Sequence, residues 1–499
     1  MKKTTALILA ALILSMSVVS CSESGINKES ESKQSDMPSG EKSSESETEE
    51  TQKYLDELPE DLKFNGDSVR FIIEDSAGGL AELSILAEED TGDVVDSAVI
   101  QRNNSVKERL DVDIGITEVF QGGGNIASRL QQSATAGTCD FEVMGVYQYY
   151  GIGLASSGNV YNLTKLPYVD FTREYWGTNY INDMSYKNAT YWATGDLALK
   201  YVGGMYVTFV NDAIWSDHYS DVNVYDLVNE GSWTLDKFTE LAEAVYTDED
   251  GDGKHNDADV YGFAICYEDP IDGLVAGSDI HFSEKDENGV PVFTLNNEHT
   301  IDFYNKLYKL ICENPNAYIA TSDDNQSLMN FFAANKAMLV VNKLYQSGVY
   351  LRDMEETYKI VPVPKYDENQ QYYITRLHDS VSCYGLPISN TKYELTGAVL
   401  EAMASDSFKY VTPAYYEKAL KFKYARDSES GQMIELIREH ATSDFASLYS
   451  NSIADIVHFF RQEVSSKSTN IASSLQKKEK IWNKSLQRLL DAMEKNADK

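Results

Sequence analysis

Basic side chains are scarce in this sequence: 43 Lys and Arg stand against 79 Asp and Glu, a formal net charge of −36. That sign sets nucleic acid and anionic lipid headgroups at an electrostatic disadvantage as partners. Cysteine is equally sparse, five in 499 residues, with no CxxC spacing and no histidines at zinc-ligand spacing, so no thiolate zinc site is expected. Apart from Cys21, the four others (Cys139, Cys266, Cys312 and Cys383) could pair in three ways; buried free thiols are the expected state. Signatures of catalysis are missing too. There is no GxSxG elbow, no HExxH and no GxxxxGK[ST] phosphate loop, and Gly122-Gly123-Gly124 reads as a loop between strand and helix. His378-Asp379-Ser380 contains the residue types of a hydrolase triad, but adjacent residues in an extended chain point to opposite faces and are not expected to converge. Long apolar runs are confined to the first twenty residues.

That one run, TTALILAALILSMSVVS, follows Lys2 and Lys3 and stops at Cys21. It is too short and too soon interrupted for a membrane span, which leaves a signal peptide over residues 1–20. Val18-Val19-Ser20-Cys21 resembles a bacterial lipobox, which makes Cys21 the expected mature, lipidated N-terminus; a secreted chain with an incidental Cys21 is the alternative. Acyl chains contribute about 0.8 kcal/mol per buried CH2, so two or more hold a protein at the outer face of a membrane. Residues 22–53, dominated by Ser and Glu, cannot repay the entropy of folding and read as a disordered acidic tether. Its r.m.s. reach is roughly 30 Å.

From residue 66 onward the pattern alternates. SVRFIIE reads as a strand, Val94 to Leu110 as a helix with Val95, Ala98, Val99, Val106 and Leu110 on one face, and VDIGITEVF as the next strand. A helix near NIASRLQQSATAG and the strand DFEVMGV follow. Such alternation predicts an α/β fold with a mainly parallel sheet. A second α/β region starts near GMYVTFVNDAIW, and the end is helical, with Leu475, Trp482, Leu486, Leu489 and Met493 at core spacing.

Two features suggest binding rather than catalysis. In DEDGDGKHNDAD, residues 248–259, Asp248, Asp250, Asp252, the Lys254 carbonyl, Asn256 and Asp259 occupy the ligand positions of an EF-hand-like calcium loop, with Gly253 at its sharp turn. A structural Ca2+ is expected there; a solvated acidic turn is the alternative. The second feature is 33 Tyr and five Trp. Ring faces stack on the C–H faces of sugars while hydroxyl and indole groups meet their polar edges. Tyr147, Tyr149 and Tyr150 follow a strand where α/β sheets open their ligand crevices, and Tyr175-Trp176 is a further candidate cluster.

Several stretches resemble the extracellular solute-binding proteins of family 1, the receptors of ATP-driven sugar importers. They are ATAGTCDFEVMGV, YWATGDLALKYVGGMYVTFVNDAIW, NEGSWTLDKFTELAEAVYTDEDGDGKHNDADVYGFA, FFAANKAMLVVNK and YKIVPVPKYDENQQYY, which together cover roughly residues 66–499. REYWGTNY departs from a tandem-Trp form of its motif. The resemblance implies a two-lobed periplasmic-binding-protein-like fold (type II) with the ligand cleft between lobes and a helical C-terminal region. Lobe 1 would combine 66–204 with 345–395, and lobe 2 would combine 205–344 with 396–499; Gly203-Gly204 would serve as a hinge. It also implies a saccharide ligand, permease partners and a monomer, with Tyr345 joining the tyrosines and Trp176 as a ligand contact. A glycan-active enzyme or esterase, and a surface adhesin or sensor, stay open as alternatives.

Overall fold

The computed structural model describes residues 54–75, 79–87, 89–320, 324–421 and 428–496. Cys21, the signal peptide and the tether lie outside the described residues, and no helix among the described residues is long and apolar enough to cross a membrane.

The chain opens with β1 (Asp67–Asp75), β2 (Val112–Gln121) and β3 (Val143–Tyr147). β1 lies between the other two, parallel to both, and its apolar FII segment is fully buried. Helix Val94–Leu110 spans the expected range. Asp93 caps it by accepting the Val95 amide at 2.9 Å, and Asp111 ends it at φ 50°, turning the chain directly into β2. Every residue of its predicted apolar face is buried.

The following strands are β4 (Tyr206–Asn211), β5 (Tyr246–Thr247), β6 (Val260–Ile265), β7 (Ser283–Lys285), β8 (Pro291–Phe293), β9 (Ala317–Ile319), β10 (Ala337–Lys343), β11 (Tyr358–Pro362) and β12 (Ser382–Gly385). They complete two main sheets, ordered β12-β3-β1-β2 and β11-β4-β10-β6-β5, with β9 beside β6; β7 and β8 form a hairpin. Neither main sheet is wholly parallel: β12 runs antiparallel on β3, and β4 runs antiparallel to both β10 and β11. Helical propensity and strand periodicity carry no information on strand direction, so the sequence could not show this.

The chain passes from the first sheet to the second at residues 199–205 and returns between β11 and β12. The return differs from the boundary at 345 expected from sequence. After β10 the helix Gln346–Tyr350 turns the chain back so that β11 pairs with β4, and the crossing follows Pro362. The boundary near 395 differs as well, because helix Tyr393–Asp406 packs against helix Val94–Leu110 of the first sheet. The C-terminal helix Ile471–Asn496 buries Leu475, Trp482, Leu486, Leu489 and Met493, and Trp482 sits edge-on to Phe459 as core. Cys139, Cys266, Cys312 and Cys383 are all free thiols, Cys266 and Cys383 fully buried.

Candidate functional site

β1 and β3 end beside the first crossing, where apolar strands give way to polar residues. Glu74, buried at the end of β1, accepts the amides of Ile126 and Tyr147, both at 3.1 Å, and so fixes the position at which β3 stops. Lys200, on the crossing helix Leu199–Gly203, reaches back to the Tyr147 hydroxyl at 3.0 Å and to Asp75 at 3.9 Å. Desolvation lowers the Lys200 ammonium to about 8. Gly203 and Gly204 follow; a Cβ on Gly204 would stand 2.3 Å from the Lys200 carbonyl, so the close turn there requires glycine.

On the second sheet, β10 is buried along its whole length and ends in Asn342-Lys343. Lys343 forms an ion pair with Asp269, both nearly inaccessible. Asp269 starts helix Pro270–Gly277 and also accepts Asn325 Nδ2 at 2.7 Å and the Tyr206 hydroxyl at 3.2 Å. Although burial opposes its charge, Lys343 and Arg461 together hold this carboxyl well below the ordinary range. Three residues on, Asp272 is paired with Arg461.

The returning crossing and a C-terminal loop bring further groups to the same place. The Gln148 and Tyr149 amides donate to the Val381 and Asp379 carbonyls, both at 3.0 Å, tying the end of β3 to the return segment. The Tyr149 hydroxyl donates to Asp455 at 2.7 Å, and its ring stacks on His458 at 5.7 Å. Ala454 and Asp455 both adopt left-handed backbone, φ 53° and 54°. For two successive residues with a Cβ this is a costly conformation, of the kind that gathers at binding sites. Tyr150 is exposed and lies over Gly123, while Tyr345 is half-buried. Of the sequence candidates, Tyr147, Tyr149, Tyr150 and Tyr345 thus lie around the crossings.

The expectation that His378, Asp379 and Ser380 could not converge is corrected here. The segment is a turn closed by the Val381 amide on the His378 carbonyl at 3.1 Å, rather than an extended strand. His378 Nδ1 sits 2.7 Å from the Ser380 hydroxyl and also accepts the Ser380 amide at 3.2 Å; Nε2 sits 3.6 Å from Asp379 and 3.4 Å from Asp269. As a triad the arrangement is poor. The 3.6 Å separation exceeds a hydrogen bond, and burial, together with nearby Lys343, lowers the imidazole to about 3, far from a useful base at neutral pH.

Tyr175 and Trp176 lie elsewhere. Both are buried, and the Tyr175 hydroxyl and Trp176 indole N–H, at 2.5 and 2.9 Å, donate to the two oxygens of Glu401. Desolvation raises Glu401 to about 7 against those donors. Trp176 also borders a separate cavity of about 510 Å³ with Tyr201, Phe408, Glu435 and Arg438.

In the acidic loop the carboxylates of Asp248, Asp250 and Asp252 offer oxygens within 4.8 Å of one another. Gly251 and Gly253 take φ of 69° and 73°, and their amides donate to Asp248 at 2.7 and 2.9 Å. Asn256 Nδ2 lies 3.0 Å from Asp250 and 3.4 Å from the Lys254 carbonyl. Asp259 is fully buried and accepts the Glu249 and Asn256 amides and the Tyr246 hydroxyl. Three convergent carboxylates and a backbone carbonyl suit a hard cation; Asp259 already serves the loop itself.

Sequence reasoning passed over Asp269, Lys343, Asp455, His458 and Arg461. The signal available was a charged residue closing an apolar strand, as Lys343 closes AMLVVNK, and an Asp-Pro helix start at Asp269.

No protein-family model matches the chain, and no curated protein matches it in sequence. Solved structures do match in fold. An ABC substrate-binding protein from Listeria monocytogenes in complex with cycloalternan is 12% identical over 86% of this chain and 99% of its own, with a TM-score of 0.52. A cyclo/maltodextrin-binding protein complexed with maltotetraose is 11% identical over 85% and 96%, TM-score 0.53. The UspC protein of M. tuberculosis is 12% identical over 84% and 100%, TM-score 0.56. The chain has the α/β, periplasmic-binding-protein-like fold.

Proposed function

We propose that this chain is an extracellular solute-binding receptor that delivers a small polar solute, a sugar or oligosaccharide, to the permease of an ABC importer. One observation carries the reading: two sheets, each with its own helices, joined by crossings at which tyrosine rings and buried ion pairs from both meet. The fold likeness to receptors whose structures hold oligosaccharides supports it. A ligand contacting both sheets would favour the closed arrangement by its differential affinity for it. The receptor works as a monomer at the outer face of the cell membrane, held by acyl chains on Cys21 after removal of the signal peptide.

Binding rather than turnover is the role assigned. The contact among Ser380, His378 and Asp379 favours a hydrolase as the second reading, but the low imidazole pKa and the long Asp379 separation argue against it. In the acidic loop, Asp248, Asp250, Asp252, the Lys254 carbonyl and Asn256 would hold Ca2+, whose charge would relieve the mutual repulsion of the carboxylates. Its role would be structural.

A thermal-shift screen of saccharides, followed by calorimetry, tests the reading. Saturable binding of a saccharide without release of products is the expected result. Turnover of a bound sugar or ester, abolished by Ser380→Ala, would replace it with the hydrolase reading.

A further inference from the structure

Away from the cleft, the two halves of the fold are tied together by one partly buried ion pair. Asp196, almost fully enclosed, is held in the half built on the first sheet. Its amide donates to the Tyr175 carbonyl at 3.0 Å, and its carboxylate accepts the Thr412 hydroxyl at 2.6 Å from helix Thr412–Lys421, which packs on helix Val94–Leu110. Arg438 donates to both oxygens of that carboxylate, at 2.8 and 3.0 Å. Its helix, Ser428–Glu439, is bound to the second sheet, since it packs on β11 and Ser430 shares a hydrogen bond of 2.7 Å with Tyr225. Around this pair the halves are not close-packed. Arg438 stands at the wall of the cavity of about 510 Å³, which Trp176, Thr178 and Phe408 line from the first half and Glu435, Glu439 and Ala441 from the C-terminal helix and the turn after it.

A buried layer separates that cavity from the cleft. Gln148, next to Tyr149, accepts the Tyr180 hydroxyl, the Tyr180 ring meets Tyr201 edge-on at 6.2 Å, and Tyr201 borders the cavity. Gln148 and Tyr180 are both buried, and Tyr201 lies on the crossing helix Leu199–Gly203 itself. Two bodies hinged through such a layer act as a lever: rotation that narrows the side of Tyr149 and Tyr345 widens the side of Arg438. Closure therefore pulls Arg438 away from Asp196, and the enclosed carboxylate is left with a single hydroxyl donor. That loss raises the free energy of the closed arrangement alone. A solute that needs the closed arrangement binds with an affinity reduced by the fraction of molecules able to reach it.

Resting on the receptor reading above, we infer that Asp196 and Arg438 are positioning residues, a latch on the far side of the hinge that holds the cleft open and sets its affinity without touching the solute.

Calorimetric titration of the full chain with the saccharide that leads a thermal-shift screen, maltotetraose among those screened, tests the inference. Arg438→Gln is expected to tighten the Kd by about fivefold or more, the opposite of what damage to the fold would do. Asp196→Asn/Arg438→Gln removes both charges together, should tighten binding likewise, and keeps the test intact if the single variant, with its stranded carboxylate, fails to fold. Lys309→Gln serves as the control, because its pair with Glu243 at 3.5 Å lies within the second half; its Kd should stay level. An unchanged or weaker Kd in a double variant that melts cooperatively, or equal tightening in the control, overturns the latch and leaves the receptor reading standing. Absence of saccharide binding by the wild type and both latch variants overturns both.

Discussion

Lys343→Met isolates a carboxylate that the fold has buried. Asp269 would keep its hydrogen bonds from Asn325 at 2.7 Å and Tyr206 at 3.2 Å and the attraction of Arg461, but lose the ammonium paired directly with it. Breaking a buried pair from one side typically costs about 3–5 kcal/mol, because the remaining charge is stranded, and both partners here are almost fully enclosed. The sign with pH follows. In the wild type the Asp269 carboxyl is held below its unfolded value, so its contribution is present at neutral pH and is lost only as pH falls through that depressed value. Without Lys343 the folded-state pKa rises, and the variant takes up a proton more readily than the wild type. The penalty should therefore be largest near neutrality and smaller at mildly acidic pH. Adding Asp269→Asn removes the stranded charge and should recover most of the loss, leaving about 1 kcal/mol for imperfect hydrogen bonding. Urea denaturation of the wild type, both single variants and the double variant at two pH values measures all of this. A single-variant cost below about 1 kcal/mol, or a double variant no more stable than Lys343→Met, would refute the reasoning.

Other outcomes are equally open to measurement. Calcium at a hundred times its Kd should stabilise the metal-free protein by about 2.7 kcal/mol, and Asp248→Ala or Asp252→Ala should abolish that dependence; identical melting curves with and without chelator remove calcium from the account. Glu401 titrates near 7 in the fold against 4.5 as a free group, so wild-type stability should fall by roughly 3 kcal/mol relative to Glu401→Gln as pH rises through that window; parallel melting profiles would contradict the desolvation argument. Cys21→Ala should leave the protein unprocessed or released, and mass spectrometry of the wild-type N-terminus should find a diacylglyceryl cysteine; a mature chain starting elsewhere, without lipid, contradicts the anchor.

Periodicity made much of the framework legible. Helix Val94–Leu110 and the C-terminal helix were readable because their apolar residues recur at 3.6-residue spacing, and all of those residues are buried. Strand order was not readable, because β11 joins β4 across about 150 residues of chain through backbone pairing that leaves no trace in side-chain pattern. The site divided along similar lines. Tyrosines after β3 could be placed by the rule that α/β sheets open at strand ends, whereas Asp455 and His458 reach Tyr149 through a C-terminal loop whose approach depends on the packing of whole helices. His378-Asp379-Ser380 marks the limit of local reasoning, since the argument from an extended chain is sound and the chain at that point is a turn. Tyr175 and Trp176 show the reverse case, in which residues suited to stacking have their polar atoms engaged by one buried glutamate.

The central claim is that a saccharide binds where the crossings meet and draws the two sheets together. X-ray scattering of the purified chain, titrated with the saccharide that gives the largest thermal shift, tests it most directly. The account predicts a smaller radius of gyration at saturation, with the change and the binding both lost in a Tyr149→Ala/Tyr345→Ala variant that still melts cooperatively. Tight binding with an unchanged radius of gyration, or binding that survives the loss of both rings, would contradict it.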